Sequence, residues 1–240
     1  MTGSTRGDAD RAQSHVVGVA LLLGITVVLL AGLTATVGTV VESNAAGVDA
    51  GRVAADVDDA LAPVETTGSR TGPLSYGDGR LHTENRTVRL LNGDRVVETV
   101  DADALVYDRG AHRVTFLGGA VVRESGTSTT FESEPPLSTS TDALVVGVGA
   151  LGDESVDTTG GGRLTLRTRV THERAAYDVG TWRVAVETAT PGVWERYFDR
   201  RGGVTSRRDF DDDGTTSVVA SFPGRRAYLV VHRMRLEVDP

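Results

Sequence analysis

The chain predicts an α+β protein: a long N-terminal hydrophobic helix, then an all-β, sandwich-like globular head with one short helix. Three observations carry that prediction. Residues 16–41, VVGVALLLGITVVLLAGLTATVGTVV, hold no charged side chain. Beyond them, apolar residues recur at three- and four-residue steps as far as Pro63, the period of one helix face. From residue 81 onward the period becomes two, and Gly, Asp and Asn punctuate it, as expected of strands and turns.

Composition narrows the functional classes. The chain has 240 residues, 33 of them acidic against 25 basic, and every basic one is arginine; the formal net charge is −8 and there is no cysteine. Zero cysteine excludes disulfides and thiolate metal sites. The acidic excess argues against nucleic acid as a partner, because phosphate binding needs a basic field. Abundant aspartate without lysine looks like the composition of salt-adapted archaea, in which molar salt screens surface repulsion.

Taken in order, residues 1–12 form a polar leader, followed by a long helix over 13–62 that contains a transmembrane span at 16–41. At 1.5 Å per residue that span would be roughly 39 Å long, against a hydrocarbon core of about 30 Å. It is too long for the apolar region of a secretory signal, and no small-residue cleavage site follows it. Two arginines precede the span, whereas Glu42, Asp49, Asp56, Asp58 and Asp59 follow it against Arg52. Positive-inside counting then places the N-terminus in the cytoplasm and the head outside, as a single-pass protein of the cell membrane. Gly18, Gly24, Gly32 and Gly38 fall within one arc of the helix, where small residues let helices approach closely.

Just ahead of the span stand Arg11, Ala12 and Gln13, within R-A-Q-S-H-V-V-G. A basic residue, then a small one, then the apolar segment resembles the class III leader of haloarchaeal type IV pilins and archaellins. The resemblance covers residues 11 to about 41, a sixth of the chain, and His15 stands where many such relatives have proline. It implies a leader peptidase that cuts between Ala12 and Gln13, so that the apolar segment stays in the mature chain. It also implies packing against other pilin-like subunits through that helix. An uncleaved signal anchor fits the same residues.

The helical pattern continues through Ala46, Ala50, Val53, Val57, Leu61 and Val64, with charges between them, and Pro63 should end it. A pilin-type helix has this division, apolar all round in its first half and one-sided in its second. Residues 63–80 are rich in Gly, Ser and Thr and read as a linker; 81–240 read as the β-rich head. Asn92-Gly93 between 87–91 and 95–100 is a strong hairpin signal. A second hairpin is expected around 108–110, strands at 120–124 and 129–132, and a doubly buried strand at 143–148. Residues 163–174 alternate cleanly, and 182–186 repeat the pattern after a turn at 178–180. Thr190-Pro191 reads as an N-cap with proline at the first helical position, opening a short helix to about Arg200. Strands at 217–222 and 227–238 close the chain.

Candidate sites are few. Asp209, Asp211 and Asp213, followed by Gly214, match the opening of a calcium loop, but its twelfth position is Ala220 rather than a bidentate glutamate. Calcium is thus the one cofactor the sequence suggests, on half a motif. Asn85 opens an Asn-Arg-Thr glycosylation sequon beside a strand. His172 and His232 both lie on apolar strand faces and could be neighbours; satisfied core histidines are the simpler reading than metal ligands. Gly160-Gly161-Gly162 lacks the lysine of a phosphate loop, and acidic residues such as Glu132 and Glu134 read as solvated edges. No catalytic constellation is evident. The expectation is a non-enzymatic, pilin-like subunit or minor pilin of an archaeal cell-surface filament, anchored by its N-terminal helix before assembly. The alternative is a single-pass, non-assembling surface protein whose β-domain binds a ligand or partner.

Overall fold

The computed structural model describes the backbone of residues 7–61, 66–152 and 155–239, and the side chains of these except 7–18, 20, 35, 36 and 38–40. The chain divides into two compact units, one ending at Ala45 and the other spanning Ala46–Pro240. Helix α1, Gly7–Leu61, contributes to both. It stops just before Pro63, which has no N–H to donate and disfavours helical geometry at the residue before it.

Among the described residues no helix is long and apolar enough to cross a membrane. The transmembrane span at 16–41 and the single-pass, membrane-anchored location are therefore corrected. The assignment of a cytoplasmic N-terminus and an outer head falls with them. The leader 1–12 and the cleavage residues Arg11, Ala12 and Gln13 lie outside the residues whose side chains are described.

The second unit is mostly one large β-sheet. Its strands are β1 (Gly68–Glu84), β2 (Thr87–Asn92), β3 (Arg95–Asp101), β4 (Ala104–Arg109), β5 (His112–Leu117), β6 (Ala120–Ser125), β7 (Ser128–Ser133), β8 (Leu137–Thr139), β9 (Ala143–Leu151), β10 (Asp157–Glu187), β11 (Val204–Arg208) and β12 (Ser217–Asp239), with α2 (Pro191–Arg200) between β10 and β11. The order is β7-β6-β5-β4-β1-β10-β12-β9-β8, with β2 beside the far half of β10, β3 beside β2, and β11 beside β12. The sandwich-like head is thus corrected to a single twelve-stranded sheet. The cause is the length of β10 and β12, which stay paired from Thr165↔Asp239 to Glu187↔Ser217. The turn expected at 178–180 is a pair of bulges, with register shifts at Tyr177/Val179 and Gly180/Thr181; a bulge bends and twists a strand without reversing it.

The linker expected at 63–80 is also corrected. From Gly68 onward it is the first half of β1, paired with β10 from Gly68↔Val170 to His82↔Asp157. Its Gly and Ser content disguised a strand whose partner lies some ninety residues away. The two short hairpins match expectation, with Gly93 and Gly110 at φ 59° and 60° in their turns. Helix α2 also matches, although Thr190 makes no side-chain capping bond; its hydroxyl lies 3.2 Å from that of Thr188 instead.

Two apolar cores cover the two faces of the sheet. One gathers Val88, Val106, Val146, Trp182, Phe198 and Phe222, with α2 packed into it. The other closes over the second half of α1, where Ala50, Val53, Ala54, Val57, Ala60 and Leu61 meet Leu74, Tyr107, Phe116, Leu166 and Met234. β10 serves both, placing Leu166 and Val170 in the second and Trp182, Val184 and Val186 in the first.

Candidate functional site

α1 carries two separate candidate features: an apolar surface in the first unit and a built docking site in the second. In the first unit Leu21, Leu22 and Leu23 are each more than 60% exposed, and Val27, Val28, Leu29, Leu30 and Leu33 are similarly bare. Consecutive residues step 100° around a helix, so this surface is apolar on every side. Its polar groups are turned inward: the Thr26 hydroxyl donates to the Leu22 carbonyl at 2.7 Å and Thr34 to the Leu30 carbonyl at 2.9 Å. Contiguous exposed apolar surfaces of this kind are common at interaction sites.

The docking site starts from two carboxylates seven residues apart, hence on one face of α1. Asp56 accepts the Ser75 N–H at 2.9 Å, and Asp49 accepts the Gly77 N–H at 2.8 Å. Alternate residues of a strand point their N–H groups the same way. Pro73, which has no N–H, stands in phase with Ser75 and Gly77, so this edge of β1 carries only two donors here and the helix satisfies both. Covering an edge with a helix blocks edge-to-edge pairing. The approach is close: a Cβ on Gly72 would lie 2.9 Å from that of Ala60, and one on Gly77 would lie 2.3 Å from the Arg109 guanidinium.

Asp49 is buried, and it also accepts hydrogen bonds from the Tyr107 hydroxyl and, at 3.2 Å, from Arg109. Burial pushes its carboxyl up, but the bonds from Tyr107, Gly77 and Arg109 outweigh this and hold it below the ordinary carboxylate range. Burial and the neighbouring carboxylate push the Tyr107 hydroxyl well above the usual phenol range. A charged group sunk in a helix–sheet interface is tolerable because each of its contacts is a donor.

The other sequence-marked residues fall elsewhere. Asn85 is exposed between β1 and β2, an accessible position for a sequon. Asp209 accepts the Asp211 N–H at 3.2 Å and the Gly214 N–H at 2.9 Å, and Asp213 accepts the Thr215 N–H at 2.7 Å. Asp211 pairs with buried Arg89, whose guanidinium also lies 4.9 Å from the Phe210 ring centre. The three aspartates thus cap their own loop and neutralise an arginine instead of converging on a point. Among the described residues no group of three or more His, Asp or Glu side chains could hold a metal ion.

His172 and His232 are neighbours, as their faces suggested: they lie opposite each other in register, Nδ1 to Nδ1 at 2.9 Å. One ring donates and the other accepts, the role of each being set by its tautomer. Sequence reasoning missed the Asp49–Tyr107–Arg109 cluster. The available signal was Asp49 and Asp56 spaced by two helical turns within an otherwise apolar face.

A family model described as a family of unknown function, DUF7289, matches residues 11–237, and the chain belongs to that family. No curated protein and no solved structure matches it.

Proposed function

We propose that the protein is a structural, non-enzymatic subunit of a pilin-like polymer, built by packing the apolar half of α1 against the same segment of further copies. The observation that carries this is the bare helix surface at 21–34, apolar on every side and with its threonine hydroxyls bonded to its own carbonyls. Such a surface gains roughly 25 cal/mol for each Å² of apolar area removed from water, and a bundle of like helices removes it symmetrically. The second half of α1 is occupied by its own sheet, so the two halves divide the work between assembly and display of an acidic head. In the same reading the leader is cut between Ala12 and Gln13; N-terminal sequencing of native protein that starts at Met1 removes the pilin-type route.

The experiment is analytical ultracentrifugation of the full chain in molar salt, beside a Leu22→Glu/Leu29→Glu variant charged on one face. Large, concentration-dependent assemblies of the wild type that vanish in the variant support the proposal. A wild type that stays monomeric without detergent, or a variant that assembles equally well, overturns it.

A further inference from the structure

The strand faces opposite α1 carry a second feature. Along β10, Leu166, Thr168 and Val170 are buried, which turns Arg167, Arg169 and Thr171 outward. Along β12, burial of Met234 and Leu236 turns Arg233 and Arg235 outward in the same way. Register sets Arg169 directly against Arg235 and Thr171 against Arg233. The end of β9 forms a wall beside them, fixed by the Gly152 N–H to Met234 carbonyl bond at 2.8 Å. Arg169, Thr171, Arg233 and Arg235 line an open cleft of about 880 Å³, with Asp101 and Glu237 also on its lining.

The charges in and beside the cleft are unevenly satisfied. Arg167, next to it, pairs with Asp239 at 3.3 Å, and Arg233, on its lining, holds Glu173 through two nitrogens at 3.2 and 3.3 Å. The guanidinium groups of Arg169 and Arg235 have no hydrogen-bond or ion-pair partner among the described residues. Like charges set directly opposite across an antiparallel pair repel. Most arginines of this acidic head are matched to a carboxylate, whereas these two face each other across the strands without one, an arrangement that attracts negative charge. A guanidinium presents a planar fork suited to two oxygens of one anion, and the Thr171 hydroxyl adds a neutral donor. Asp101 and Glu237 limit the size of what fits, because an extended polyanion would run into them.

We infer that this cleft binds a small, doubly charged tetrahedral oxyanion, of the size of sulfate or phosphate, held between Arg169 and Arg235. Occupation of the site cancels the cross-strand repulsion and ties β10 to β12 beside the end of β9. It does not depend on assembly through α1, so either proposal can fail alone.

The test is isothermal titration of the full chain with inorganic phosphate and with sulfate, against chloride at low and constant ionic strength. The expected result is one saturable site for either dianion and binding of acetate about tenfold weaker or less. Arg169→Gln and Arg235→Gln each weaken binding about tenfold, the size expected for loss of one charge-assisted contact. Arg174→Gln, an exposed change on β10 outside the cleft, leaves it unchanged. Glu237→Gln tightens it, a gain that damage to the fold could not produce. Absence of a saturable site in the wild type, binding as tight as the wild type's by Arg169→Gln and Arg235→Gln, or a tenfold loss in Arg174→Gln overturns the inference.

Discussion

The two halves of α1 are built from similar residues and meet opposite fates. Residues 46–61 bury Ala50, Val53, Ala54, Val57 and Leu61 to 2% exposure or less, and Asp49 and Asp56 bond to the edge of β1. Residues 21–34 offer larger side chains, Leu22, Leu29 and Leu33 among them, yet each of these stays more than 60% exposed. The difference teaches that apolar content alone does not choose an intramolecular partner. The buried half alternates its valines and alanines with carboxylates placed to fill specific backbone valences. The bare half has no charged side chain to direct it, its threonine hydroxyls are bonded to its own carbonyls, and it offers a surface suited only to something equally apolar.

The largest effect expected from breaking this contrast is on the buried side. Val53 is fully buried, and Val53→Asp would sink an unpaired charge at the helix–sheet contact, costing about 4 kcal/mol; thermal unfolding should show a drop on the order of 10 °C. The matching change on the bare side, Leu29→Asp, should leave that transition within about 1 °C, because exposed substitutions change stability little. Equal losses at both positions would erase the distinction between the halves.

Next in size is Asp49→Ala. It strips an acceptor from Tyr107, Arg109 and the Gly77 N–H, and stranding buried donors costs about 3 kcal/mol; chemical denaturation reads this directly. Gly72→Val drives a side chain into Ala60 and should cost about 1–3 kcal/mol by overpacking, whereas Gly93→Asn in an exposed turn should cost well under 1 kcal/mol.

The pH dependence is smaller and two-sided. Asp49 has a depressed folded pKa, so its contribution is present above the unfolded value of about 4 and is lost as pH falls through the folded one. Tyr107 has a raised folded pKa, so its contribution is present below about pH 10 and is lost as pH rises further. Stability of the wild type should therefore fall at both extremes. Asp49→Asn should flatten the acid limb, and Tyr107→Phe the alkaline one. An unchanged acid limb in Asp49→Asn would mean that the carboxylate does not anchor the helix.

What the sequence made legible follows from the range of the forces involved. The Asn92-Gly93 and Gly110 hairpins, the end of α1 near Pro63 and the Pro191 start of α2 depend on a few adjacent residues, and all were readable. The start of β1 was not, because Gly68–Tyr76 is held by β10 rather than by its own composition. Nor was the continuity of β10 through Tyr177–Thr181, since a bulge and a turn use the same Gly- and Asp-containing stretch and only the distant strand decides between them. His172 and His232 could be matched by face, but the opposition of Arg169 and Arg235 needed the register. Asp49 read as a charge between apolar positions; its role appears only once Tyr107 and Arg109 arrive from β4.

The absence of cysteine makes the central claim open to one direct measurement. Single cysteines placed at Leu22, Ile25, Leu29 and Leu33 in the full chain, with Asn92→Cys as a control on the head, can be oxidised at low protein concentration and resolved by denaturing electrophoresis. The account predicts disulfide-linked dimers within the helix series and none from Asn92→Cys. Monomer at all four helix positions, or dimer from the control alone, would contradict it.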